Sequence, residues 1–405
     1  MSFVSRAAGR LGGFAASVVL TGLVSLAVVP LLVHFGGALG WASFAVGQTV
    51  GSLFGVVTSL GWLQIGPSEV ALADSATRVR HYANSLVVRL GILFVTGPLS
   101  VMVTLFVVPE PDVASAIASL GSLLLACGAT WYFVGTSRPK SLLACDTLPR
   151  IAGIVLGCVG TVVTGQLIYA GIGIVLGATI AIVLSSIAIR RMDGQLSVSS
   201  FRELCRVSAD HVHGLGIGVF SSLYLTAPLV LVSTLVPAYA ATYALADRLK
   251  QQSMAALTPI GQTLQGWVPR AASSDQLRSR VRRAVQFAAI GALASALGFS
   301  LFAPPVSYFL GAAQVSVEYT LAIPLGVALG LNLFTLVLGN SCLVPLGRSA
   351  AVSYSSMVGT VAVLVGIAAM SGRLSVVGVG WAVAGAQACV AAVQSHQLCR
   401  AMRTL

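Results

Sequence analysis

Apolar residues run through this chain in stretches of roughly 20, each parted from the next by a short polar or glycine- and proline-bearing gap. At 1.5 Å per residue a helical stretch of that length crosses the hydrocarbon core of a bilayer, so each one predicts a membrane span. Twelve can be placed: residues 11–33, 41–63, 83–108, 113–135, 142–165 and 167–189, then 215–236, 239–267, 284–310, 321–343, 350–369 and 374–393. The pattern predicts an all-α polytopic membrane protein with two six-helix lobes, residues 1–190 and 215–405, joined by a connecting segment at 191–214.

The basic residues sharpen this picture, because they fall in alternate gaps. Arg6, Arg10, Arg78, Arg80, Arg138, Lys140, Arg150, Arg190, Arg191, Arg202, Arg206, Arg270, Arg278, Arg280, Arg282, Arg283, Arg348, Arg400 and Arg403 lie at one set of ends, and Arg373 alone falls in a gap at the other. Retained Lys and Arg mark the cytoplasmic side, so both termini are expected inside the cell. An odd number of spans would destroy the alternation. Arg6 and Arg10 before an apolar stretch also suit a secretory signal, but the stretch is too long for one and has no convincing cleavage site.

Composition agrees: 57% of residues are hydrophobic and 8% charged, which needs lipid as solvent. The net charge of +12 would suggest nucleic acid in a soluble protein. Here the cations flank apolar runs and fit anchoring at an anionic leaflet, so no nucleic-acid partner is expected. The seven cysteines form no CxxC pair, which argues against disulfides and zinc. His211 and His213, beside Asp210, would point to different faces of a helix and are expected in a solvated loop. The longest extramembrane segment, 190–214, is too short for a catalytic domain. No GxxxxGK[ST] loop and no cluster of paired carboxylates occurs, so transport is expected and enzymatic activity is not.

Charges inside spans carry the candidate chemistry, since each costs several kcal/mol at the bilayer centre unless it faces a cavity or a partner. Asp247, Arg248 and Lys250 lie roughly 15 to 20 Å from the outer end of the eighth span, near the midplane. Arg89 lies about 9 to 12 Å into the third span from its cytoplasmic end. Together the four carry +2. That excess suits a pyrophosphate, whose oxygens pair with the fork of a guanidinium. Alternatively Asp247 pairs with Lys250 at i,i+3, or with Arg89, to make burial tolerable, or it carries a coupling proton. Asp146 and Arg150 form an i,i+4 pair at the cytoplasmic mouth, either a gate or a structural salt bridge. Gln262, Asn332 and Asn340 either line a polar path or hold helices together.

Several stretches resemble the polysaccharide (O-antigen-type, Wzx-like) flippases of the multidrug/oligosaccharidyl-lipid/polysaccharide exporter superfamily. They are Pro30-Leu31-Leu32-Val33-His34-Phe35-Gly36-Gly37, Ser59-Leu60-Gly61-Trp62 and Trp131-Tyr132-Phe133-Val134-Gly135 with Arg138 and Lys140. In the second half they are Tyr243-Ala244-Leu245-Ala246-Asp247-Arg248-Leu249-Lys250 with Thr258-Pro259 and Val268-Pro269-Arg270, then Phe302-Ala303-Pro304-Pro305, Leu343-Val344-Pro345-Leu346-Gly347-Arg348 and Val376-Val377-Gly378-Val379-Gly380-Trp381. Each is weak alone, and their order makes the resemblance specific over most of the chain.

The resemblance implies two lobes around a central cavity that opens alternately to each side. It implies a polyprenyl-pyrophosphate-linked oligosaccharide as substrate, a bacterial cytoplasmic membrane location, and glycosyltransferases and a glycan polymerase as partners. No cofactor or metal is implied. Acidic residues common in some relatives are sparse here, which leaves the coupling ion, H+ or Na+, open. The alternatives are a cation-coupled multidrug exporter of the same superfamily, whose cavity should be acidic, and a glycan polymerase or ligase, which needs a larger external loop than 311–320. The lipid II flippase branch typically has two further helices.

Overall fold

Every regular element is helical among residues 3–270, 273–369 and 375–403, the residues that the computed structural model describes. Arg373, the one cation expected outside, lies beyond them. The helices are α1 (Phe3–Ala27), α2 (Val29–Ser59), α3 (Trp62–Leu72), α4 (Ser75–Val107), α5 (Val113–Leu124), α6 (Thr130–Gly135), α7 (Pro139–Leu142), α8 (Leu148–Thr164), α9 (Ile168–Asp193), α10 (Phe201–Leu235), α11 (Ala240–Trp267), α12 (Ser274–Leu310), α13 (Tyr319–Val337), α14 (Ser349–Ala369) and α15 (Val376–Arg403). The chain folds into two units, Met1–Ser222 and Leu223–Leu405, and passes from one to the next within α10.

The predicted spans map onto these helices with local reasons for each departure. The first ends and the second begins inside α2, where Gly37 takes φ 63° and ψ −174°, a conformation open essentially to glycine alone. Pro30 enters at the first turn of α2, where its missing N–H is harmless. The second span stops at Leu60 and Gly61, both left-handed (φ 46° and 82°), which turns the chain into the short helix α3. The fourth span is α5 and α6 around a break at residues 125–129, and the fifth is α7 and α8 joined by a π-helical turn, Leu143–Thr147. A second π-helical turn, Leu338–Leu343, follows α13.

Among the described residues nine helical segments are long and apolar enough to cross a membrane, and Ala16–Ala27 and Ser222–Leu235 are shorter apolar segments. Helix α11 is not among them. Its first half carries Asp247, Arg248, Lys250, Gln251 and Gln252 and its second half Gln262 and Gln265, so length without hydropathy is what it offers.

Inside the first unit α2 packs on α5 and α4, α5 on α9, and α8 on α9. Gly47 and Gly51 of α2 lie so near the Ser115 and Ser119 carbonyls of α5 that any Cβ would overlap them, and Gly153 and Gly157 meet Gly173 and Gly177 in the same manner. Such close backbone approach is how membrane helices gain packing where the hydrophobic effect gives nothing. Small hydroxyls face inward: Thr58 and Thr96 hydrogen-bond at 2.8 Å between α2 and α4. Large apolar side chains face outward, with Phe94 85% exposed, the inverse of a soluble protein and the surface that lipid would cover. At the end carrying the arginines, Arg138 pairs with Asp193, whose other partner is the Tyr132 hydroxyl at 2.7 Å. The hydrogen bond to Asp193 raises the Arg138 pKa further.

The second unit is built from the end of α10 and from α11 to α15, with α12 on α13, α14 on α15 and α13 on both α15 and α11. Val268, Val281, Ala284, Val337, Leu338 and Leu343 form a buried core cluster within it.

Candidate functional site

Arg89 lies in the middle of α4 and is 0% exposed. Its Nε donates to the Ser85 carbonyl (3.0 Å) and one Nη to the Ser85 hydroxyl (2.9 Å), while the other Nη donates to the carbonyls of Ala126 (2.8 Å) and Gly128 (2.9 Å). The break between α5 and α6 frees those two carbonyls from their helix, and the guanidinium takes them up. Trp131 lies under it, with the guanidinium carbon 5.9 Å from the ring centroid. Among the described residues no carboxylate is within salt-bridge distance, so backbone dipoles and a π face hold this cation.

Gly128 links this arrangement to the Asp146–Arg150 pair. Its carbonyl serves Arg89, while a Cβ on the same residue would collide with the Arg150 guanidinium and approach Asp146. Asp146 is buried on the π-helical turn and binds Arg150 at 2.6 Å and the Thr130 hydroxyl at 3.0 Å. Arg150 is part exposed, and its Nε is buried with no hydrogen-bond partner. Three of the sequence candidates, Arg89, Asp146 and Arg150, thus meet across one glycine, 39 residues from Arg89 in sequence. A π-helical turn beside a buried carboxylate is a frequent signature of function.

The α11 candidates lie in the second unit. Lys250 Nζ is 2.7 Å from Asp247 Oδ1, and the Gln251 amide donates to Asp247 Oδ2 at 2.6 Å. Asp247 and Lys250 are both buried, so the i,i+3 pairing open at the sequence level is the one present. Arg248 sits about 100° round the helix from Asp247 and is half-buried. Formally the segment keeps one positive charge beyond the pair. One turn earlier, the Tyr243 hydroxyl is buried with no hydrogen-bond partner. Asn332 on α13 and Asn340 on the second π-helical turn are half-buried. The side chain of Gln262 lies outside the described residues.

One group escaped the sequence reading. His211 is on α10 rather than in a solvated loop, because the irregular segment between α9 and α10 ends before Phe201. It is buried, stacked on Trp62 of α3 with ring centroids 3.8 Å apart, and its Nε2 lies 3.2 Å from Glu69 Oε2. His81 of α4 approaches the same carboxylate oxygen at 3.7 Å. Hydrogen bonding from His211 and, against the cost of burial, the charges of His211 and His81 hold the Glu69 carboxyl below its usual range. The only signal in the sequence was an acid and two histidines close to predicted helix ends. The side chains of Asp210 and His213 lie outside the described residues.

No family model matches this sequence, and no curated protein matches it. Solved structures do. An inward-facing multidrug resistance MATE family transporter of the MOP superfamily is 17% identical, with a TM-score of 0.61 over 97% of this chain and 95% of that one. The lipid II flippase MurJ in an inward closed conformation is 11% identical, with a TM-score of 0.67 over 95% of this chain and 87% of that one. A eukaryotic MATE transporter, AtDTX14, is 14% identical, with a TM-score of 0.58 over 99% and 96%. From end to end, this chain has the fold found in MATE transporters of the MOP superfamily and in the lipid II flippase.

Proposed function

We propose that the chain is a flippase carrying a polyprenyl-pyrophosphate-linked oligosaccharide from the cytoplasmic to the outer leaflet of a bacterial cytoplasmic membrane by alternating access. The observation that carries this reading is the sign of the charge within the spans. Arg89, Asp247, Arg248 and Lys250 keep a surplus of two positive charges, and Asp146 is matched by Arg150. A positive interior attracts a diphosphate, most strongly where water is scarce, and repels a cationic drug. Arg248 is the residue assigned to the pyrophosphate, with Lys250 in support. Lys250 changes partner from Asp247 to phosphate, which frees Asp247 to take a proton while the headgroup is bound and to release it when Lys250 returns. Arg89 adds to the total charge and makes no direct contact with substrate, its donors being occupied by backbone carbonyls and Ser85. Asn332 and Asn340 offer donors and acceptors to the sugar. Glycosyltransferases would supply the substrate and a glycan polymerase would consume it on the far side.

The second reading, a multidrug exporter, is favoured by the likeness to MATE transporters, and the sign of the charge argues against it. Deleting the protein separates the two. The flippase reading predicts that polyprenyl-linked oligosaccharide accumulates on the inner leaflet, because synthesis continues while crossing stops. Unchanged lipid-linked pools with new sensitivity to cationic dyes would establish the exporter instead.

A further inference from the structure

The ring nitrogens of His211 are both committed. Nδ1 lies 2.8 Å from the Val207 carbonyl one turn back on α10, an oxygen that only accepts, so Nδ1 carries a hydrogen. A neutral imidazole in that tautomer has a lone pair on Nε2. Yet Nε2 lies 3.2 Å from Glu69 Oε2, where two lone pairs would repel, so a proton belongs between them. The other titratable or charged groups facing the pair are His81 of α4 at 3.7 Å from the same Glu69 oxygen and Arg80 beside His81. Trp62 and Trp131 supply the wall from α3 and α6 without charge, their centroids 5.6 Å apart. On α10 itself the nearest cation with a described side chain is Arg206.

We infer that Glu69, His211 and His81 form a proton-binding site, in which one proton held between His211 Nε2 and Glu69 Oε2 fastens α10 to α3. When the proton leaves His211, Nε2 turns from donor to acceptor against a carboxylate and the contact opens. No bond other than N–H breaks, and the proton passes to water, since Glu69 is part exposed. The stacked indole of Trp62 stays against a ring that no longer carries charge. Because α10 is the helix within which the chain passes from one unit to the other, the site fastens a helix common to both. It lies at the end where Arg78 and Arg80 place the cytoplasm, so cytoplasmic pH is the variable it reads. This inference stands apart from the substrate reading, since neither the site nor its test involves a transported molecule.

The test is optical and magnetic. An imidazolium stacked on indole quenches its fluorescence strongly and a neutral imidazole does so weakly, so the full-length protein in lipid nanodiscs should brighten as pH rises through the transition. His211→Gln, which keeps an N–H toward Glu69, should abolish the step. Glu69→Gln should move its midpoint down by about one pH unit or more, because a neighbouring carboxylate favours the imidazolium. Trp62→Phe should remove the optical step while leaving the titration itself in place. Histidine-selective 15N NMR of the wild type needs no variant that folds: one of the five imidazoles should stay doubly protonated well above the ordinary histidine value of about 6.5. All five imidazoles losing their second proton at or below that value would overturn the site. So would an optical step unchanged in both His211→Gln and Glu69→Gln.

Discussion

Arg89 and Arg248 are the same residue type at comparable depth in predicted spans, and their surroundings differ: the first is fully buried and the second half-buried. Arg89 is enclosed, with four of its five N–H groups donated to acceptors on α4 and in the α5–α6 break. It repairs a gap in the backbone hydrogen bonding of a broken span, where lipid and packed protein offer no water as substitute. Arg248 is half-buried on a helix whose neighbouring acid is engaged by Lys250 and Gln251. The lesson is that depth alone does not make an intramembrane arginine a substrate ligand, since Arg89 is as deep and is fully enclosed by protein acceptors.

The largest expected effect tests the enclosed side of that comparison. Arg89→Met should cost about 1–3 kcal/mol for each carbonyl left without a donor, so the variant should melt well below the wild type in detergent or fail to accumulate. Arg248→Ala should melt close to the wild type. Equal melting of the two variants would erase the distinction. Next, Arg248→Ala should lower transport about 10- to 150-fold at normal membrane levels, the loss of a charge-assisted contact of about 1.5–3 kcal/mol. Arg248→Lys should recover part of it, since the charge returns without the planar fork. Asp247→Ala combined with Arg248→Ala should stay inactive if Arg248 holds substrate, and rescue would assign it to neutralising Asp247.

A smaller effect concerns the pair on α11. Asp247→Ala leaves Lys250 buried without its carboxylate, and removing Lys250 as well should restore some stability. A double-mutant cycle should give a coupling of about 0.5–3 kcal/mol, and additivity would mean the pair does not matter to folding. The smallest is an acid limb. Glu69 has its pKa depressed by His211, so its contribution is present above the ordinary value of 4.5 and is lost as pH falls through the depressed folded value. Glu69→Gln should flatten thermal stability over that acid range, and an unchanged acid limb would show that the contact adds nothing.

Much of the fold was legible because a bilayer imposes a length on apolar runs, and the break at Gly37 falls in the gap between the first two predicted spans, whereas the turn at Leu60-Gly61 cuts the second one short. The local pairs Asp247–Lys250 and Asp146–Arg150 were legible too, since i,i+3 and i,i+4 spacing puts side chains together on any helix. The partners of Arg89 were not. They are backbone carbonyls exposed by a break at 125–129, and in an apolar run nothing but Gly128 hints at it. Nor was the contact of Glu69 with His211, which joins residues 142 apart in sequence and depends on α10 starting early enough to carry His211 on a helix.

The central claim is that the charge within the spans selects a lipid-linked diphosphate. Reconstituting the purified protein in liposomes that hold a fluorescent polyprenyl-pyrophosphate oligosaccharide, and following access of a membrane-impermeant quencher to the label, measures crossing directly. The account predicts rapid exchange between leaflets with wild type, little with Arg248→Ala, and no movement of a cationic dye in the same vesicles. Transport of the dye with the labelled lipid held in its original leaflet would contradict it.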